Sequence, residues 1–209
     1  MSVPLPRPSV AEDLAHRIAA VAPARLPPAV RDKCADLFID VVGLCVAARN
    51  EAYVKAALAG FDDAGPATVF GHGRTLSGAG AAFVNGTAAH GEDFDDTFEG
   101  GPVHAGAVVV PAVVAACERQ GAQGPAALVG IAVGAEVLCR LSLVTPKLIH
   151  RAGFHPTAVL GAMGAAAGVA AALGLSPHAI VDALGVAGSM ASGIIEYLAE
   201  GAWTKRMHA

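Results

Sequence analysis

Apolar residues recur every three or four positions along most of this chain, which is the pattern of amphipathic helices. The clearest case follows Pro27-Pro28, and a proline suits the start of a helix because the first turn needs no intrahelical N–H bond. From there the apolar positions step by three and four between Val30 and Cys45. The spacing predicts a long helix with one buried stripe.

Seven further segments carry the same periodicity, and two of them have a start signal. Ser9 followed by Glu12 forms a capping box, and Ser176-Pro177 supplies an N-cap and a proline at the first helical position. The predicted segments are residues 11–21, 51–61, 77–89, 105–120, 124–143, 155–173 and 177–189. A short extended piece is predicted at 67–70, so the fold class is all-α with at most a trace of strand.

The composition refines this picture. Hydrophobic residues make up 54% of the 209 residues and aromatic residues only 5%, so the apolar mass is mostly alanine, valine, leucine and isoleucine. Small side chains let helices approach closely, which predicts one compact multi-helix domain over residues 9–209 after an N-terminal tail at 1–8. The net charge is −4 and there is no basic run, so we expect no nucleic-acid partner.

The sequence also favours a cytoplasmic protein. Its four cysteines show no paired spacing, and Cys34 and Cys45 would lie roughly 16 Å apart along one helix, too far for a disulfide. We therefore expect reduced, buried thiols. Residues 1–8 contain three prolines and no apolar core, unlike a signal peptide. Residues 154–175 carry no charge but are rich in alanine and glycine, which indicates a buried helix and no membrane span.

The most unusual segment is His-Gly-Glu-Asp-Phe-Asp-Asp-Thr at residues 90–97, which places four carboxylates beside a histidine in a chain with 15% charged residues. It follows the predicted helix 77–89, where the helix dipole disfavours negative charge. This placement indicates function more than solvation. The same dipole argument predicts that a neutral asparagine at Asp93 would make the fold slightly more stable.

Basic groups occur at three later places. His104 follows a glycine-rich turn, His155 lies before a proline, and the C-terminal segment contains Lys205, Arg206 and His208. An acid, a base and a cation are what a cofactor-free enzyme needs to handle a small polycarboxylic acid.

Structural roles compete with this interpretation at several positions. His90 and His104 could be buried, hydrogen-bonded histidines, and the Lys205-Arg206 pair could be a solvated surface. At least one of Asp95 and Asp96 is expected to cap a neighbouring helix or turn.

A metal site is not predicted. The run from Asp95 to Glu99 resembles a magnesium motif of helical prenyl-transfer enzymes, but the chain has few aromatic residues and no second acidic cluster. For zinc, His90 and Asp93 are three residues apart, and no further ligand has a suitable spacing. We therefore expect neither a metal nor another cofactor.

Four motifs in order resemble the MmgE/PrpD family over residues 9–209: HGEDFDDT (90–97), HAGAVVVP (104–111), GFHPT (153–157) and GAWTKRMH (201–208). The resemblance implies an all-helical domain with a cofactor-free active site. It implies a lyase of the 2-methylcitrate dehydratase type, active in propionate catabolism as a cytoplasmic homodimer. Decarboxylation of cis-aconitate and epimerisation of iminodisuccinate are the other reactions of this family.

Matching the motifs residue by residue implies a set of site residues. The catalytic group would comprise Asp93, His104, His155, Lys205 and His208. The substrate-binding group would comprise His90, Thr97 and Arg206.

Family proteins are considerably longer and carry an α+β lid domain, which the resemblance does not place in this sequence. We expect a helical domain truncated at its C-terminal end. The alternative to an enzyme is a catalytically silent helical module that binds a partner half or dimerises. A high mean hydropathy of +0.53 motivates that alternative.

Overall fold

The computed structural model describes residues 7–144 and 146–209, and these form a helical domain with one small hairpin. The predicted all-α class is confirmed. The α-helices in chain order are α1 Val10–Ala19, α2 Pro28–Ala48, α3 Ala52–Ala59, α4 Gly78–His90, α5 Ala105–Gln120, α6 Gly124–Val144, α7 Leu148–Arg151, α8 Pro156–Ala172, α9 Pro177–Met190 and α10 Tyr197–Glu200. The 3₁₀ helices are Pro23–Arg25 and Trp203–His208.

All eight predicted helices are present, with ends within about one turn of the predicted bounds. The start signals predicted for α1 and α9 are both formed. The Glu12 N–H donates to Ser9 Oγ and the Ser9 N–H donates to Glu12 Oε2, which completes the capping box of α1. The Ala179 N–H donates to Ser176 Oγ at the start of α9. The predicted tail at 1–8 lies largely outside the described residues.

The predicted extended piece is the first strand of a short hairpin. Strand β1, Ala67–Thr68, pairs antiparallel with β2, Thr75–Leu76. The buried amide of Asn85 on α4 holds this hairpin, because its Oδ1 accepts from the Phe70 N–H at 2.9 Å and its Nδ2 donates to the Thr68 carbonyl at 2.8 Å.

Helices α5, α6 and α8 form the centre of the domain, and glycines allow α6 and α8 to touch. A Cβ atom on Gly130 would lie 2.7 Å from the Gly168 carbonyl oxygen, and one on Gly134 would lie 2.9 Å from that of Gly164. Close packing through small residues, predicted from composition, is therefore confirmed. The four cysteines are unpaired, as predicted.

Helix α6 is long and apolar enough to cross a membrane by length and composition alone. It nevertheless packs along α5 and α8, and the core helix of a soluble domain meets the same criterion. The predicted buried helix at 154–175 is α8, which is largely enclosed by its neighbours.

Three helix ends meet on one side of this core. Helix α4 ends at His90, while α5 and α8 begin directly after His104 and His155. The 3₁₀ segment Trp203–His208 packs against α4. The helices therefore bring residues that are far apart in sequence to one place.

We predict that Gly130→Ala lowers the free energy of unfolding by about 1–3 kcal/mol, because the added methyl group meets the Gly168 carbonyl and Val113 inside van der Waals distance. The control is Gly185→Ala in α9, where no described atom lies within 4 Å of the new Cβ. It should stabilise by about 0.4–1 kcal/mol. Urea unfolding of both variants measures this, and equal effects would contradict close α6–α8 packing.

Candidate active site

Four imidazoles form a continuous group, which we call the histidine cluster: His90, His104, His155 and His208. The His90 ring lies 5.0 Å from that of His104 and stacks on that of His155, with centroids 5.5 Å apart and planes 14° apart. The His208 ring lies 5.3 Å from that of His155. The structure thus brings together four of the predicted site residues from four separate motifs.

The acidic segment crosses the end of α4 in an irregular conformation. Asp93 has φ = 58°, a left-handed conformation that asparagine and aspartate adopt more readily than most residues. At Gly91 a Cβ atom would overlap the Tyr53 side chain. These two positions let the segment turn tightly after His90.

Asp96 caps helix α5. Its Oδ1 accepts from the Gly106 N–H at 2.7 Å and its Oδ2 accepts from the Ala105 N–H at 3.2 Å. Burial raises the pKa of Asp96 above its ordinary value, although these two N–H groups act in the opposite direction. The prediction that Asp95 or Asp96 caps a neighbouring helix is confirmed for Asp96.

Asp95 is buried and contacts two imidazoles. Its Oδ2 lies 2.6 Å from His90 Nδ1 and 3.5 Å from His104 Nδ1. Sequence reasoning considered Asp95 only as a cap or a metal ligand and did not include it among the site residues. The only sequence signal for this contact is that Asp95 lies five residues after His90.

The contacts of His104 determine its neutral tautomer. Its Nδ1 lies 2.9 Å from the Asp96 carbonyl oxygen, which only accepts hydrogen bonds, so Nδ1 carries the hydrogen and Nε2 is bare. Thr97 Oγ1 lies 3.4 Å from the same nitrogen, and the His104 N–H donates to Thr157 Oγ1. The neutral ring therefore offers one free basic nitrogen.

His155 and His208 share a hydrogen bond, with their Nδ1 atoms 3.2 Å apart. Burial, followed by the charges of neighbouring groups, lowers the pKa of His155 to about 3. Burial and the charge of His90 lower the pKa of His208 as well. The pair is consequently uncharged at neutral pH, where each ring can donate or accept one hydrogen bond.

Lys205 forms an ion pair with Asp93. Burial raises the pKa of Asp93, but the hydrogen bond and the charge of Lys205 outweigh it, and the pKa falls below its ordinary value. The Asp93 side chain remains 64% exposed. The expectation that a neutral residue would be more stable here is therefore revised, because Lys205 compensates the charge.

Arg206 joins the C-terminal segment to the acidic segment. Its Nε donates to the Gly91 carbonyl at 2.8 Å, and its guanidinium lies 4.7 Å from the centre of the Tyr53 ring. The Tyr53 hydroxyl in turn donates to Glu92. These contacts give Arg206 a structural part, and its predicted substrate binding stays a prediction.

His90, Asp95 and His104 have donor atoms within 4.8 Å of one another, so their types could hold a metal ion. The zinc pair considered from sequence used Asp93, and the structure places Asp95 there. Two ligands at about 2.0–2.2 Å from one tetrahedral zinc ion lie more than about 3 Å apart. His90 Nδ1 and Asp95 Oδ2 are only 2.6 Å apart, which fits a hydrogen bond. Independence of metal stays a prediction.

An apolar groove of about 630 Å³ lies elsewhere, between α1, the start of α2 and α6. It contains none of the predicted site residues, and its walls are mainly leucine, isoleucine and valine. Arg17, Glu136 and Arg140 also line the groove, but Arg140 is paired with Glu136, and the described lining has no histidine for proton transfer. We therefore place the candidate active site at the histidine cluster.

The fold and the cluster define a helical domain equipped for acid–base chemistry. Residues 12–209 match the family model described as the MmgE/PrpD N-terminal domain. The chain belongs to the MmgE/PrpD family, as its motifs indicated.

Curated relatives of this chain carry the name cis-aconitate decarboxylase. One from Aspergillus terreus is 30% identical over 199 residues, covering 89% of this chain and 40% of the relative. A cis-aconitate decarboxylase-like protein from Aspergillus oryzae is 28% identical over 216 positions, covering 98% and 45%. The enzyme from Homo sapiens is 39% identical over 115 residues, covering 53% and 24%. The chain spans less than half the length of these relatives.

We predict that Asp93→Asn lowers the free energy of unfolding at pH 7 by up to about 1 kcal/mol, the usual limit for an exposed ion pair. The folded pKa of Asp93 is lowered, so its stabilisation is complete above the ordinary value of 3.8 and disappears as the pH falls below it. Urea unfolding at pH 7 and pH 3 measures both effects.

The matched control is Asp36→Asn, which breaks another lysine–aspartate pair, Lys33–Asp36, whose side chains are 78% and 65% exposed. It should change stability less than the substitution at Asp93. A variant at Asp93 as stable as the wild type at pH 7 would contradict a stabilising pair with Lys205.

We predict that His155 makes the fold sensitive to acid. An unfolded histidine takes up a proton near pH 6.5, whereas buried His155 takes one only near pH 3. The contribution of His155 to the free energy of unfolding is therefore complete above about pH 6.5 and is lost as the pH falls toward 3. His155→Gln should flatten this dependence in urea unfolding between pH 7 and pH 4. His150→Gln, at an exposed position, should keep the wild-type slope, and identical slopes for both variants would contradict the prediction.

Proposed function

We propose that this chain belongs to a cofactor-free lyase that acts on a small polycarboxylic acid, with decarboxylation of cis-aconitate as the leading reaction. The observation that carries the proposal is the grouping of a free basic nitrogen on His104 with the neutral His155–His208 pair in one cluster, together with a cation, Lys205, in the same C-terminal segment as His208. The relatives named cis-aconitate decarboxylase support the choice of reaction.

Substrate binding would rest on Lys205 and the neutral histidines. The Lys205 ammonium already donates to Asp93. A substrate carboxylate would compete with Asp93 for this ammonium group. His155 and His208 share one hydrogen bond, so one of the two neutral rings keeps an N–H, which would donate to a second carboxylate. Thr97 and His90 stay predicted substrate-binding residues.

Proton transfer would rest on His104. In decarboxylation the electron pair of the breaking C–C bond stays on the substrate, which then takes a proton from a protonated imidazole. In dehydration a base first removes the proton alpha to a carboxylate, and the hydroxyl group leaves with a proton from an acid. A histidine with a bare Nε2 serves both reactions. In decarboxylation it takes a proton from solvent and gives it to the substrate carbon as carbon dioxide leaves, and in dehydration it takes the alpha proton and can return it to the leaving hydroxyl group.

Dehydration of 2-methylcitrate is the second candidate, because the four motifs are common to family members with that activity. Epimerisation, a place in propionate catabolism, a cytoplasmic location and a homodimer stay proposals as well. The four unpaired thiols agree with a reducing compartment. A silent helical module is the outcome if no turnover is found.

The test is incubation of the purified full chain with cis-aconitate, 2-methylcitrate and citrate, with products identified by mass spectrometry. We expect loss of carbon dioxide from cis-aconitate. Asp93→Asn should lower kcat by about 10²–10⁴-fold if this carboxylate takes part in proton transfer or orients Lys205.

Asp36→Asn is again the control and should keep wild-type turnover. The lyase proposal for this chain is refuted if the folded protein turns over none of these acids. Selective turnover of 2-methylcitrate would instead replace decarboxylation by dehydration.

A further inference from the structure

Asp95 is the buried carboxylate at the centre of the histidine cluster. Its side chain and that of His90 have no exposed surface, so water does not compete for the 2.6 Å contact between Oδ2 and His90 Nδ1. Burying a carboxylate is costly unless hydrogen bonds compensate it. His90 supplies this compensation for Oδ2, with His104 nearby, whereas Oδ1 is buried and has no hydrogen-bond partner in the described part of the chain.

The contact with Asp95 determines which nitrogen of His90 carries hydrogen. An ionised carboxylate only accepts hydrogen bonds, so the hydrogen must lie on His90 Nδ1, and Nε2 is bare in the neutral ring. His90 Nε2 is buried and has no hydrogen-bond partner within the described part of the chain. A hydrogen on Nε2 would therefore have no acceptor there.

His90 sits between the other imidazoles, with its ring stacked on His155 and in edge contact with His104. Its tautomer consequently decides whether a donor or an acceptor faces the rest of the cluster. The Oδ2 of Asp95 also lies 3.5 Å from His104 Nδ1, on the side of the ring where the Asp96 carbonyl accepts. Because both oxygens accept at Nδ1, they favour the His104 tautomer with hydrogen on Nδ1 and none on Nε2.

We propose that Asp95 is a positioning residue that holds His90 in the Nδ1–H tautomer and helps to keep Nε2 of His104 free for proton transfer. It acts through the two histidines and touches no substrate itself. The part concerning proton transfer rests on the proposed lyase function. The part concerning tautomers is independent of turnover.

A buried aspartate does the same in the Ser-His-Asp triad, where it holds the imidazole in the productive tautomer. Replacement by asparagine leaves that geometry intact and lowers kcat by about 10⁴-fold. An asparagine at Asp95 could still accept from His90 Nδ1 through its amide oxygen, so leucine, which is of similar size and has no acceptor, is the sharper replacement. Without an acceptor at Nδ1, nothing holds the hydrogen of His90 on that nitrogen.

The experiment is NMR of the full chain labelled with ¹⁵N-histidine, using long-range ¹H–¹⁵N correlations at pH 7.5 to identify each neutral tautomer. His90→Gln and His104→Gln assign the signals. We expect His90 and His104 as Nδ1–H tautomers in the wild type. In Asp95→Leu we expect His90 to lose its pure Nδ1–H form and to populate Nε2–H. Thr87→Val is the control, since it removes another buried polar group of α4, one with no hydrogen-bond partner in the described residues, and should leave both tautomers unchanged.

A wild-type His90 found as Nε2–H would overturn the proposal, even if the variant at Asp95 does not fold. So would a folded Asp95→Leu protein that keeps His90 entirely as Nδ1–H. In turnover of cis-aconitate, this variant should lower kcat by about 10²–10⁴-fold with little change in KM, and unchanged kcat with a switched tautomer would refute the positioning role. Expected tautomers in a wild type without turnover would support the tautomer assignment and count against the lyase proposal alone.

Discussion

The candidate active site is held together by the hydrogen bonds that Asp96 accepts from the first turn of α5. The first N–H groups of a helix have no partner within it, and the helix dipole favours a negative charge there. Asp96 meets both conditions at Ala105 and Gly106. A side chain at position 106 would collide with this carboxylate, so the glycine is required. The cap fixes the whole acidic segment to the start of α5.

Several other contacts depend on this cap. With Asp96 held at the helix start, its carbonyl reaches His104 Nδ1, and the neighbouring Asp95 is directed to the buried side, against His90. Asp93 is left on the exposed side, where Lys205 pairs with it. One irregular segment thus presents three carboxylates to three environments. Asp96 caps a helix, Asp95 is the partner of an imidazole, and Asp93 forms an ion pair.

The histidines are divided in a similar way. The lowered pKa values of His155 and His208 make these rings permanent neutral hydrogen-bonding groups near pH 7. His104 keeps part of its ring exposed, with 19% of its side-chain surface accessible. It is therefore the histidine of the cluster best placed to exchange a proton with a bound molecule. Exposure separates His104 from the buried His90 and His155, whereas His208 is half-buried as well and differs from His104 by its hydrogen bond to His155.

The sequence predicted the long helices well because each buries one stripe over several turns, and residues such as Ser9 and Ser176 mark their starts. It did not predict α7 and α10, since four residues are too few for a periodic pattern. Motif spacing identified the residues of the site but not their pairing. Sequence paired His90 with Asp93, whereas the structure places Asp95 against His90, because the left-handed turn at Asp93 cannot be read from residue types.

The same limit explains Arg206, which sequence reasoning grouped with Lys205 as a cation for substrate. Its stacking on Tyr53 depends on how α3 packs beside the end of α4, a tertiary contact without a local signal. The site also makes the fold less stable in acid, because it buries a histidine that resists protonation. The close glycine packing of α6 and α8 offsets such costs, and it also fixes α8, whose first residue follows His155. The packing of α8 in the core therefore also determines where His155 lies in the site.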